Sequence, residues 1–212
     1  MNNGSKRIGI LAVQGDFALH AKMLDRIGTP WSLVKHPSDL DGAAALIMPG
    51  GESTTMLKFF DAEGLDQAIL DFARQGKPIF GTCAGTILLA KQVLNPPQSH
   101  LGLIDITVER NAYGRQIDSA IRRVALEGGD RNPLASPALD MVFIRAPIIR
   151  RVGTEVRVLG RADGLPVLVE QANILAATFH PELTDDETIH RYFLSKAHPA
   201  GTATAREPAH AS

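Results

Sequence analysis

The sequence predicts an α/β domain with a mainly parallel central sheet and antiparallel strands added at one side. Short, continuous apolar runs recur in the first half, the mark of strands covered on both faces. Segments with apolar residues at helical spacing separate them, which gives the strand-helix-strand rhythm of a parallel sheet. In the second half helical segments become scarce and strand-like runs follow one another directly, as hairpins do.

Ile8 to Val13 is the first run, broken by Gln14, Gly15 and Asp16. Phe17, Ala21, Leu24 and Ile27 then recur at helical spacing until Gly28 stops the segment. Trp31 to Val34 forms a second strand, closed by a turn at Lys35-His36-Pro37, and Ala44 to Met48 a third. The Gly-rich turn Pro49-Gly50-Gly51-Glu52-Ser53-Thr54-Thr55 follows, with hydroxyl residues placed to cap the next helix. It lacks the Gly-Lys-Ser/Thr ending of a phosphate cradle. It is therefore an ordinary strand-to-helix connection, or a turn that presents backbone N–H groups to a developing negative charge.

A helix over about 65–74 leads to a short strand at Ile79-Phe80, and a second helix is expected from the following turn to about Val93, ended by Asn95-Pro96-Pro97. Leu103 to Glu109 and Ala120 to Ala125 are expected strands around a polar loop from Arg110 to Gln116. Met141 to Arg145, Glu155 to Gly160 and Pro166 to Gln171 are further strands, and Ile174 to Phe179 is the last. Thr184 with Glu187 forms a capping box that opens a helix to about Ala197. Residues 1–197 are thus expected to form a single domain, and the Ala, Pro, Thr and Gly content of 198–212 predicts a disordered tail.

Composition narrows the chemistry. A chain of 212 residues with 44% hydrophobic content can bury a sizeable core. Its formal net charge of -1, without Lys/Arg runs, leaves no electrostatic footprint for nucleic acid or an anionic membrane. No apolar stretch reaches the ~18 residues a bilayer span needs, and the amino-terminal residues carry no apolar signal core. One cysteine excludes an intrachain disulfide, so the expected compartment is the cytoplasm.

That cysteine sits in Gly81-Thr82-Cys83-Ala84-Gly85, between a strand and an apolar helical segment. The pattern matches a nucleophile elbow with Cys in place of Ser, where flanking glycines permit a sharp turn and the central side chain projects from the sheet edge. A lone cysteine is otherwise a small buried hydrophobe, which needs no such turn. Among the seven histidines, His20 and His190 lie in helical segments, His36 and His100 in turns, and His198 and His210 in the tail region. His180 alone ends a buried strand, and in extended chain Glu182 faces the same way. Cys83, His180 and Glu182 therefore compose a nucleophile, a base and an orienting carboxylate. The His-x-Glu spacing also occurs in zinc deaminases, but those need two further cysteines.

These residues resemble class I glutamine amidotransferases, whose fold is a flavodoxin-like three-layer sandwich. Val13-Gln14-Gly15-Asp16-Phe17, Pro49 to Met56, Val108-Glu109-Arg110-Asn111, Tyr113-Gly114-Arg115-Gln116, Phe143-Ile144-Arg145-Ala146-Pro147 and Phe179 to Thr184 narrow the resemblance to the glutaminase subunits of pyridoxal 5'-phosphate synthases. The resemblance implies that Cys83 attacks the side-chain amide of L-glutamine, with Gly51 and Ala84 N–H groups holding the oxyanion. It implies that Gly51, Glu52, Ser53, Arg110, Ile144 and Arg145 bind the amino-acid end of glutamine. It further implies no cofactor and no metal, and a hetero-oligomer with a synthase subunit that receives the ammonia. Two other readings stay open: a cysteine-dependent peptidase or deglycase-like hydrolase, and a non-catalytic regulatory module of the same fold.

Overall fold

The computed structural model describes residues 7–111, 119–129 and 132–197. Most of the polar loop expected at 110–116 and the whole of the 198–212 tail lie outside the described residues. Strands β1 (Arg7–Leu11), β2 (Trp31–Val34), β3 (Ala43–Met48) and β4 (Ile79–Thr82) alternate with helices α1 (Phe17–Ile27), α2 (Ser53–Glu63) and α3 (Leu65–Arg74). Helix α4 (Ala84–Leu89) follows β4, and strands β5 (Ala90–Leu94) to β12 (Ile174–Ala177) fill the rest before helix α5 (Thr188–Ala197).

The central sheet has seven strands in the order β10-β11-β12-β4-β3-β1-β2, with β10 at Arg157–Ala162 and β11 at Leu165–Gln171. From β12 to β2 every pairing is parallel, while β10 and β11 are antiparallel additions at one edge. Two smaller sheets stand apart: β5, β6 (Ile104–Glu109) and β9 (Ile148–Val152), and the hairpin of β7 (Ala120–Ala125) with β8 (Ala138–Phe143).

Side chains alternate across the central sheet and feed two cores. Leu46, Met48 and Ile79 face α2, α3, α4 and the β5-β6-β9 sheet. Ala45, Ile47 and Phe80 face α1, α5 and the β7-β8 hairpin. Each buried aliphatic or aromatic side chain contributes about 1.5–3 kcal/mol relative to exposure, so strands apolar on both faces are stable only with both layers in place. Among the described residues no helix is long and apolar enough to cross a membrane.

Three local expectations need correction. The helix after Cys83 stops at Leu89 rather than about Val93. The carbonyls of Leu88, Leu89 and Ala90 accept N–H groups from Leu101, Leu103 and Gly102, so the helical bonds that would extend α4 have lost their acceptors. The chain enters β5 instead, a strand the sequence pattern did not reveal, and β9 was missed as well. Second, Glu52 and not a hydroxyl caps α2: its carboxylate accepts the Thr54 and Thr55 N–H groups at 3.3 and 2.8 Å. Third, Thr184 opens no capping box, because it ends a 3-10 turn at Pro181–Leu183. Asp186 Oδ1 takes the Thr188 N–H at 2.8 Å instead.

Phe80 is fully buried at the centre of the sheet, with its ring against those of His190 and Phe193. Phe80→Ala is expected to lower unfolding stability by about 3–5 kcal/mol, read from the urea midpoint at unchanged slope.

Candidate active site

Cys83 lies where β4 passes into α4, at φ 46° and ψ -101°. The strain of the elbow falls on the cysteine itself, since such a φ is rare for any residue with a side chain. The neighbouring glycines serve close packing instead. A Cβ on Gly85 would collide with the Met48 carbonyl of β3, and one on Gly81 with the Gly85 backbone. The elbow is pinned from the adjacent strand by the Cys83 N–H, which donates to the Ala177 carbonyl at 2.8 Å.

That adjacent strand is β12, which pairs Ala177 with Thr82 in parallel register. Both chains therefore leave the sheet at one edge, Cys83 one residue past the pair and His180 three past it. His180 is held by its N–H, which donates to Val142 of β8 at 2.8 Å. Its Nδ1 lies 2.8 Å from Glu182 Oε1, and its ring shares the lining of one cleft with Cys83. The contact between His180 and Glu182 is made as expected, but not by extended chain: Glu182 belongs to the 3-10 turn after His180. All three side chains are buried, and Cys83, the most open, is 8% exposed.

Burial alone would lower the His180 pKa, yet the interactions with Cys83 and Glu182 outweigh it and raise the value from 6.5 to about 10. Glu182 is held below the ordinary carboxylate range, because His20 and His180 together overcome the burial that opposes its charge.

A cleft opens beside the cysteine, lined by Gln14, Gly15, Asp16, Gly51, Glu52, Ser53, Ile87, Arg110, Asn111, Ile144, Arg145, Pro147 and His180. The expected amino-acid-binding residues, Gly51, Glu52, Ser53, Arg110, Ile144 and Arg145, are thus gathered on one opening. Glu52 is held ionised, its pKa lowered to about 2, chiefly by the Thr54 hydroxyl and then by Thr55. Arg110 Nη2 lies 3.7 Å from Glu52 Oε1, so a cation and an anion stand side by side there. Arg145 is held at φ 45°, a left-handed conformation at the cleft rim. Ala84 opens α4 behind the sulfur and is almost fully buried.

The sequence motifs contained Gln14 and Asp16 without a role for either. Gln14 Oε1 accepts the Glu52 N–H at 2.6 Å, and the Asp16 N–H donates to the Gly50 carbonyl at 3.1 Å. The turn after β1 therefore braces the Gly-rich turn after β3. Gly50 lies so close to His180 and Cys83 that a Cβ there would strike the His180 ring. Asp16, His180 and Glu182 each offer a ligand atom within 4.8 Å of the others. His180 Nδ1 is already spent on Glu182 Oε1, so an ion at that position would have to break the bond that orients the ring.

A family model described as the SNO glutamine amidotransferase family matches residues 10–198. The chain is 53% identical to the pyridoxal 5'-phosphate synthase subunit PdxT of Solibacter usitatus, over 90% of its own length and 99% of that protein. It is 47% identical to PdxT of Thermotoga maritima, over 89% and 97% of the two chains. Among solved structures, one described as a glutamine amidotransferase superposes with a TM-score of 0.82 at 45% identity, covering 90% of this chain and 98% of the other. The structure of PurLQS from Thermotoga maritima, at 18% identity and a TM-score of 0.68, shares the fold.

Because folding raises the His180 pKa, its protonated ring stabilises the folded state fully below about pH 6.5, and that share is lost as the pH rises through about 10. Imidazole NMR is expected to show His180 titrating near the upper value. In Cys83→Ala the midpoint is expected to fall, since the sulfur that favours the charged ring is removed.

Proposed function

The chain belongs to the SNO glutamine amidotransferase family, and from that premise we propose that Cys83, His180 and Glu182 are its catalytic triad. The protein is a glutaminase that hydrolyses the side-chain amide of L-glutamine and passes ammonia to the synthase subunit of pyridoxal 5'-phosphate synthase. The observation that carries the site assignment is the 2.8 Å bond from the His180 ring to Glu182, with His180 and Cys83 both lining a cleft that also holds Arg110 and Arg145. A free amino acid needs cations for its α-carboxylate. A peptidase has no such need, so this pair favours glutamine over a peptide.

In this proposal His180 already holds the proton taken from the Cys83 thiol, as its raised pKa implies, and gives it to the leaving ammonia after the thiolate attacks the amide carbon. Glu182 holds the ring's tautomer and stabilises the imidazolium. Water then hydrolyses the glutamyl thioester by the reverse proton traffic. The oxyanion lies against the N–H groups of Ala84 and Gly51, where each donor is worth about 3–4 kcal/mol of transition-state stabilisation. Arg110 and Arg145 hold the α-carboxylate, Glu52 the α-ammonium, and Gly51, Ser53 and Ile144 complete that end of the pocket. No step requires a cofactor.

The same proposal covers regulation. The Gly50 carbonyl is tied to the Asp16 N–H, so a trans peptide sends the Gly51 N–H the opposite way. Two glycines make rotation of this peptide sterically cheap, and docking of the synthase subunit in a hetero-oligomer biases it toward the oxyanion-binding orientation. Residues 1–197 as one amidotransferase domain and a cytoplasmic location belong to the proposal too, supported by the span of the family match and by the single unpaired cysteine.

A glutamine-mimicking electrophile is expected to label Cys83, with free glutamine protecting; labelling elsewhere, or no protection, would overturn the assignment. Arg145→Ala is expected to raise the KM for glutamine about 10- to 100-fold, the loss of one charge-assisted contact. Ammonia release is expected to rise when the synthase subunit is added, and equal rates with and without it would refute the peptide switch.

A further inference from the structure

Behind the triad the chain buries two histidines that the reaction as described does not use. His20 of α1 and His190 of α5 are both fully buried, and their rings meet at 3.0 Å, His20 Nδ1 to His190 Nε2. His20 Nε2 then lies 3.3 Å from Thr82 Oγ1 and 3.4 Å from Glu182 Oε2. That carboxylate oxygen lies on the side of His20, while Oε1 meets His180, and among the described residues it has no hydrogen-bond partner. A buried carboxylate oxygen without a donor is costly, and His20 Nε2 is the ring nitrogen that stands before it.

The proton positions follow from the contacts. If His20 carried its proton on Nδ1, its Nε2 lone pair would face the carboxylate, and the His190 proton would be forced to Nδ1. His190 Nδ1 is buried and has no hydrogen-bond partner, so an N–H there would be orphaned. With both protons on Nε2 these conflicts vanish. His190 donates to His20, His20 shares one N–H between Thr82 and Glu182, and the atom left bare is a lone pair. A proton shared between two acceptors accounts for both distances being long. Burial holds both rings neutral, lowering the His20 pKa and bringing that of His190 down to about 3.

We propose that His20 is a positioning residue for the glutaminase reaction, which through its neutral Nε2–H holds the Glu182 carboxylate in the orientation that serves His180, with His190 fixing its tautomer from behind. The proposal rests on Glu182 being the orienting member of the triad. The titratable groups around that carboxylate are His180 on its own turn, His20 on α1, His190 behind it on α5, and Asp16 at 3.9 Å from His180 Nδ1. Removing the His20 donor disfavours the ionised carboxylate, so Glu182 protonates at higher pH.

The test has two arms on the full chain. With histidine 15N-labelled, long-range nitrogen-proton correlation at pH 7 is expected to show His20 and His190 as neutral Nε2–H tautomers. An Nδ1–H tautomer or an imidazolium at His20 overturns the proposal, whatever the protein's activity. In the second arm glutamine hydrolysis is measured with the synthase subunit present, wild type beside His20→Leu and His20→Gln, whose amide nitrogen can occupy the place of Nε2. His20→Leu is expected to lower kcat about tenfold with the KM for glutamine within about twofold, and to move the acid limb of kcat/KM to higher pH. His20→Gln is expected to recover most of kcat and return the limb. Equal losses in both variants, or none in His20→Leu, overturn the proposal. Inactive wild type would instead count against the glutaminase assignment and leave the tautomer result standing.

Discussion

The parallel pairing of β4 with β12 is the constraint on which the active site depends. These strands are far apart in sequence, yet once Ala177 is in register with Thr82 the next residues of both must emerge at one sheet edge. Backbone bonds complete the arrangement, from Cys83 to Ala177 and from His180 to Val142 of the neighbouring hairpin. Cys83 and His180 are placed by main-chain bonds, which leaves their side chains free of that task. The two apolar layers on either face of the sheet hold that register.

The electrostatics build on this placement. A cysteine in a strained backbone conformation, an imidazole biased toward its charged form and a carboxylate kept ionised in a buried setting each oppose the ordinary preferences of the interior. They persist because each offsets the cost of the next. The Gly-rich turn is pressed against this group by the turn after β1.

Much of this was legible in the sequence. The buried strands of the first half announced themselves as unbroken apolar runs, and Trp31 to Val34 and Ala120 to Ala125 were bounded as found. The glycine-flanked Cys83 and the strand-ending His180 stood out because their settings make no sense as packing alone. What failed did so for nonlocal reasons. The helix after the elbow was cut short by three N–H groups arriving from 101–103, and β9, with two arginines in five residues, carries no strand period. Glu52 capped its helix in preference to the hydroxyls because a carboxylate accepts two N–H groups at once. His20 and His190 were passed over since helical histidines are ordinary, and only the packing of α1 against α5 reveals that they meet.

Helix α1 has a place in this site out of proportion to its distance from the nucleophile in sequence. Its capping residue, Asp16, tethers the Gly50 carbonyl, and one turn further along it delivers His20 to Glu182. The two contacts sit on one stiff rod, so a slide of that rod along its axis slackens or tightens both together. A displacement of α1 would therefore be felt at the Gly-rich turn and at the Glu182 carboxylate at once.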